Sequence, residues 1–187
     1  MNVLRHLKLW HKFSALGVLA VTMAAVPLYQ VVQRETAELA TARAEDDGLD
    51  PVRTLSQLQR HLQAHRGLSG MVLNGNPTAD AERKSRRTQV DAQFTQLAKQ
   101  LSELGFRKAA EDAQALKASW ERLVARVEAR DVSASDSFAA HTEMVEREIQ
   151  LVDLVADLSG LSLDPEAETY HLMMAVVDHL PRAAEQL

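Results

Sequence analysis

The chain has 187 residues, a formal net charge of −5 and no cysteine. This excludes disulfides, thiol catalysis and cysteine-ligated metals, and the mixing of both charge signs along the chain argues against a nucleic-acid partner. Seven glycines, five prolines and few aromatics, in a chain rich in Ala, Leu, Gln and Glu, predict helices and no sheet.

Residues 1–12 carry Arg5, Lys8 and Lys12 and read as a cytoplasmic N-terminus. From Phe13 to Val32 no residue is charged, and about 20 apolar residues at the helical rise cross the roughly 30 Å of bilayer hydrocarbon. Residues 13–32 are therefore predicted to be a transmembrane helix, with Trp10 and Tyr29 near its two ends and a bend at Pro27. The sequence then turns acidic at Glu35, Glu38, Glu45, Asp46 and Asp47, so the positive-inside rule places everything after it outside the cytoplasm. A cleaved signal peptide is the rival reading. Its apolar core is usually only about 7–15 residues and ends at a small-x-small site. Thr22-Met23-Ala24 and Ala24-Ala25-Val26 fit that site poorly, which favours an uncleaved anchor.

Residues 33–50 read as a helical stalk that Gly48-Leu49-Asp50-Pro51 interrupts, with Asp50 capping a new helix and Pro51 at its first position. That helix runs from Pro51 to Leu73 with a seam of Leu55, Leu58, Leu62, His65, Ser69 and Val72. Asn74-Gly75-Asn76-Pro77-Thr78 ends it. The next, Ala79 to Leu104, opens with Arg83, Lys84, Arg86 and Arg87 and carries Val90, Phe94, Leu97, Leu101 and Leu104 in its core-facing second half.

Gly105 closes that helix, and another from Arg107 to Arg130 aligns Ala109, Ala113, Leu116, Trp120, Leu123 and Val127. The helix from Ser135 to Gly160 has Phe138, Val145, Ile149 and Val152 on one track, with Leu151, Leu154, Val155 and Leu158 beside it. Asp164-Pro165-Glu166 starts a last helix running to Leu187, with Tyr170, Met173, Met174, Val177 and Leu180 on its apolar side and a kink at Pro181. The sum is an all-α chain, one N-terminal transmembrane helix followed by an up-and-down bundle over residues 51–187, expected to be incomplete at its C-terminus.

The polar residues of interest fall in two stretches. In Arg60-His61-Leu62-Gln63-Ala64-His65-Arg66-Gly67, the histidines lie four apart, but no third ligand and no HExxH glutamate accompanies them, so no metal is expected. His65 and Ser69 read either as hydrogen-bonded polar seam residues or, with Arg60 and Arg66, as part of a small-ligand pocket in which an arginine pairs with an anion. In the second stretch, Tyr170 and His171 are candidate ligand residues, whereas Met173 and Met174 sit at core spacing. No nucleophile elbow, metal motif or carboxylate pair is present, so neither catalysis nor a cofactor is expected.

The anchor, the stretch Leu58 to Ser69 followed by Leu73-Asn74-Gly75-Asn76, and Leu163-Asp164-Pro165-Glu166 with Thr169-Tyr170-His171-Leu172-Met173 resemble the start of a bacterial methyl-accepting chemotaxis protein or a related sensor histidine kinase. The resemblance implies an inner-membrane protein whose periplasmic helical region binds a small molecule or a partner protein and passes a helix shift across the membrane, as a homodimer. It also implies a truncation before the second membrane helix, the HAMP linker and the cytoplasmic output region. The alternative is a membrane-anchored helical interaction protein without a small ligand.

Overall fold

The structure, a computed structural model, describes residues 8–161, and every regular element among them is helical. Helix α1 spans Leu9–Leu73, α2 Asp80–Glu103, α3 Arg107–Glu128 and α4 Ala134–Ser159, with one 3₁₀ turn at Pro77–Ala79. Two compact units share these elements, Met1–Arg43 and Ala44–Leu187. The helix expected between Asp164 and Leu187, with Tyr170 and His171, lies outside the described residues.

The first unit holds the N-terminal part of α1, whose hydropathy of 1.9 over its most apolar window makes it long and apolar enough to cross a membrane. Its large apolar side chains, among them Phe13, Leu16, Val21 and Leu28, are exposed. Such a surface is stable in hydrocarbon and not in water. Thr22 and Thr36 return their hydroxyls to the carbonyls of Val18 and Val32 at 2.8 and 2.9 Å, so they leave no unpaired donor on this surface.

The second unit is an up-and-down bundle built from α1 after Arg43 and from α2, α3 and α4. Pairing runs antiparallel throughout. Gln57 meets Gln93 while Thr54 meets Gln96, Trp120 meets Asp91 while Glu128 meets Arg87, and His65 meets His141 while Gly48 meets Ser159. Short connections make neighbours antiparallel. Gly75 and Gly105 supply the positive φ angles of 91° and 70° that the first two turns need. Ser133 caps α4 by accepting from the Asp136 amide at 3.0 Å and donating its hydroxyl to the Asp136 carboxylate at 2.8 Å. That cap places the start of α4 one residue before the expected Ser135.

The predicted seams form the core. Leu55, Leu58, Leu62, His65, Ser69 and Val72 are all buried, facing Val90, Phe94, Leu97 and Leu101 of α2 and Leu116 and Trp120 of α3. Two expectations need correction. No break occurs at Gly48-Leu49-Asp50-Pro51, because α1 is helical through all four residues. Gly48 serves close approach instead of termination: a Cβ there would overlap the Ser159 side chain at the end of α4. Asp50 caps nothing and pairs with Arg53 one turn on at 3.0 Å. The second correction is on α4, where Phe138 and Leu158 are exposed at 55% and 44%. The buried line follows Ser137, His141, Val145, Glu148, Val152, Val155 and Ser159, a 3.6-residue repeat that puts polar groups inside the bundle.

Candidate functional site

One layer of the bundle is polar although it is sealed from solvent. His65 and Ser69 come from α1, Arg83 from α2, and Ser137 and His141 from α4, and none is more than 2% exposed. Trp120 of α3 closes the layer with its ring edge-on to His65, centroids 4.6 Å apart. Its indole N–H is satisfied by the Asp91 carboxylate at 2.7 Å.

The hydrogen bonds fix the protons of both imidazoles. His141 Nδ1 lies 2.6 Å from the Ser137 carbonyl oxygen, which can only accept, so Nδ1 carries the hydrogen. In the neutral ring His141 Nε2 is then an acceptor, and the proton between it and His65 Nδ1, 2.9 Å away, belongs to His65. His65 Nε2 is left as a lone pair with no partner among the described residues. Burial, then the nearby His141, Arg83 and Arg87, pushes the His65 pKa down to about 3, and burial pushes that of His141 down to about 4. Both rings are therefore neutral near pH 7, and their chemistry is that of an internal link between α1 and α4.

The adjacent Arg66 is half-buried and differently placed. Its guanidinium carbon stands 4.6 Å over the Phe138 ring, and Nη1 donates to the Thr142 hydroxyl at 2.9 Å. This explains the exposed Phe138: the ring is a platform for a cation. Arg66 thus presents a permanently charged planar fork at the α1–α4 seam, a shape that matches a planar oxyanion. Arg60 is exposed, six residues earlier and so about 240° around the helix, which removes it from this group. His61 is half-buried, and burial followed by Arg86 and Arg60 lowers its pKa. Among the described residues no three His, Cys, Asp or Glu side chains are grouped to hold a metal ion.

Of the expected ligand residues, the structure brings His65 and Arg66 together against α4, leaves Arg60 outside, and does not describe Tyr170 and His171. Sequence reasoning missed His141, Arg83 and Glu148. The signal for His141 was available, since it extends the Val145–Ile149–Val152 line backward by one turn. Arg83 belongs to the basic opening of α2, outside its core-facing second half, but Asp80 one turn earlier neutralises it and lets it be buried. Glu148 is wholly buried, and among the described residues neither carboxylate oxygen has a partner. Burial, then the charge of Asp153, raises its pKa well above the usual carboxylate value.

Neither a curated protein nor a solved structure matches the chain. A family match does exist, to the NIT family, described as nitrate and nitrite sensing, over residues 57–186. It takes in the α1 segment from Gln57, the polar layer, Arg66, and all of α2, α3 and α4. An all-helical bundle, an N-terminal helix apolar enough for a membrane and a match over more than half of the length agree, and the chain belongs to the NIT family of extracytoplasmic sensor domains in bacterial signalling proteins.

Proposed function

We propose that this chain is the sensor portion of an inner-membrane receptor that binds nitrate or nitrite in the periplasm, with residues 1–12 in the cytoplasm and residues 13–32 crossing the bilayer. The observation that carries the reading is the family match over residues 57–186. Arg66 is the residue we assign to the anion. Nitrate is planar with three equivalent oxygens, and a guanidinium offers it two parallel N–H donors. Thr142, already hydrogen-bonded to Arg66 at 2.9 Å, adds a hydroxyl from α4. Tyr170 and His171, outside the described residues, remain candidate contacts. The neutral His65–His141 link supports the site from behind and does not itself supply charge.

A ligand that bridges α1 and α4 binds one arrangement of those helices better than another and so shifts their population. In a receptor that shift becomes a displacement of the membrane helix, with chemotaxis or histidine-kinase signalling as the output and a homodimer as the signalling unit. The protein binds and relays and catalyses nothing. Thermal denaturation of the full chain in detergent tests the reading. Nitrate should raise the melting temperature relative to chloride, since a hundredfold excess over Kd stabilises the folded state by about 2.7 kcal/mol. Arg66→Ala should abolish the shift and leave helicity intact; a shift that persists in that variant removes Arg66 from the role.

A further inference from the structure

At the turn end of the bundle a cavity of about 470 Å³ opens between the last turn of α1, the start of α2 and the end of α3. Its volume falls in the range of small-molecule sites, roughly 300–1,000 Å³. Val72, Pro77 and Val127 give it an apolar surface, and the charged groups around it are Asp80, Arg83, Lys84, Glu128 and Arg130.

The carboxylates are already engaged. Asp80 accepts from Arg83 Nε and Nη2 at 3.0 and 2.8 Å and from Lys84 at 2.8 Å, and these bonds, that of Lys84 foremost, hold its pKa below the usual carboxylate value. Glu128 is paired with Arg87, a cation from outside the cavity wall. Arg130 has no ion pair among the described residues. Arg83, although charged, is only 2% exposed, and its Nη1 is a buried donor without a partner among the described residues. Leaving a buried charged donor unsatisfied is costly, and such a group in a cavity wall favours an anionic oxygen. The cations of this wall are the buried Arg83 and the exposed Lys84 and Arg130, and together with the apolar Val72, Pro77 and Val127 they match an anion that carries two carboxylates on a short hydrocarbon body.

We propose that this cavity is a second anion site, separate from Arg66, that takes a short-chain dicarboxylate with one carboxylate on Arg83 and the other between Lys84 and Arg130. The site goes beyond nitrate sensing and does not depend on it. Calorimetric titration of the full chain in detergent with succinate tests it. Succinate binds the wild type, and the paired exchange Lys84→Gln with Arg130→Gln, both on exposed side chains, weakens its Kd by about tenfold or more while nitrate binding stays as in the wild type. Arg83→Gln abolishes succinate binding where circular dichroism shows the bundle intact; if that variant does not fold, the exposed pair decides. No succinate binding at millimolar concentration, or a folded Lys84→Gln/Arg130→Gln protein whose Kd stays within about tenfold of wild type, overturns the proposal. Loss of nitrate binding with succinate binding retained counts against the nitrate reading alone.

Discussion

Replacing Glu148 with leucine should stabilise the bundle. Glu148 is 0% exposed, and among the described residues neither carboxylate oxygen has a partner. A buried polar group without a hydrogen bond costs about 1–3 kcal/mol, and a side chain of similar size without polar atoms recovers that cost. For a bundle of this size the gain corresponds to roughly 4 °C of melting temperature per kcal/mol. Glu148→Gln keeps the shape and the unmet polarity, so it should gain little. The pH dependence is a second readout. The folded-state pKa of Glu148 is raised, so the folded protein holds a proton that the unfolded chain has released, and stability falls as pH rises from about 4.5 toward the folded pKa. The slope from this one group is at most about 1.4 kcal/mol per pH unit. Urea denaturation followed by circular dichroism as pH rises from about 4.5 should show that decline in the wild type and a flatter profile in Glu148→Leu. Destabilisation by leucine, or equal gains from leucine and glutamine, would refute the reasoning.

The buried imidazoles work in the opposite sense. Their folded pKa values of about 3 and 4 lie below the unfolded value of about 6.5, so the stability they contribute is complete above that pH and is lost as pH falls toward 4. The unfolding free energy from urea titrations should drop across this window by up to about 1.4 kcal/mol per pH unit for each ring, with Glu148 partly offsetting it above pH 4.5; an unchanged free energy contradicts the assignment of two neutral rings. Gly48→Ala should cost about 1–3 kcal/mol through overlap with Ser159, and adding Ser159→Gly should recover most of it. Strictly additive effects in that double-mutant cycle would show that the two residues do not meet. A reporter enzyme fused after Ala44 should be active only outside the cytoplasm, and cytoplasmic activity would reverse the proposed topology.

The apolar architecture was legible in the sequence because helical periodicity reports burial directly. Apart from Leu104, which is half-buried, each seam residue from Leu55 to Val127 lies in the core, and the turns at Gly75 and Gly105 sit where turn chemistry placed them. Gly48 and Pro51 misled because a glycine needed for close packing and one needed for a helix end look alike until the facing Ser159 is known. Phe138 misled because an aromatic at helical spacing reads as core, and only the position of Arg66 reveals the ring as an outward platform. The polar layer was half visible. His65 and Ser69 stood out on their seam and His141 extends the apolar line of its own helix, but Ser137 and Arg83 gain meaning only when four helices converge on one level, a long-range fact that local patterning does not carry.

The proposed recognition of nitrate or nitrite through Arg66 is tested by isothermal titration of the full chain with nitrate, nitrite, chloride and acetate. Nitrate or nitrite should bind at least about tenfold more tightly than chloride or acetate, a difference of roughly 1.4 kcal/mol, and the preference should disappear in Arg66→Ala. Equal affinity for all four anions, or a nitrate preference that survives intact without the guanidinium, would contradict it.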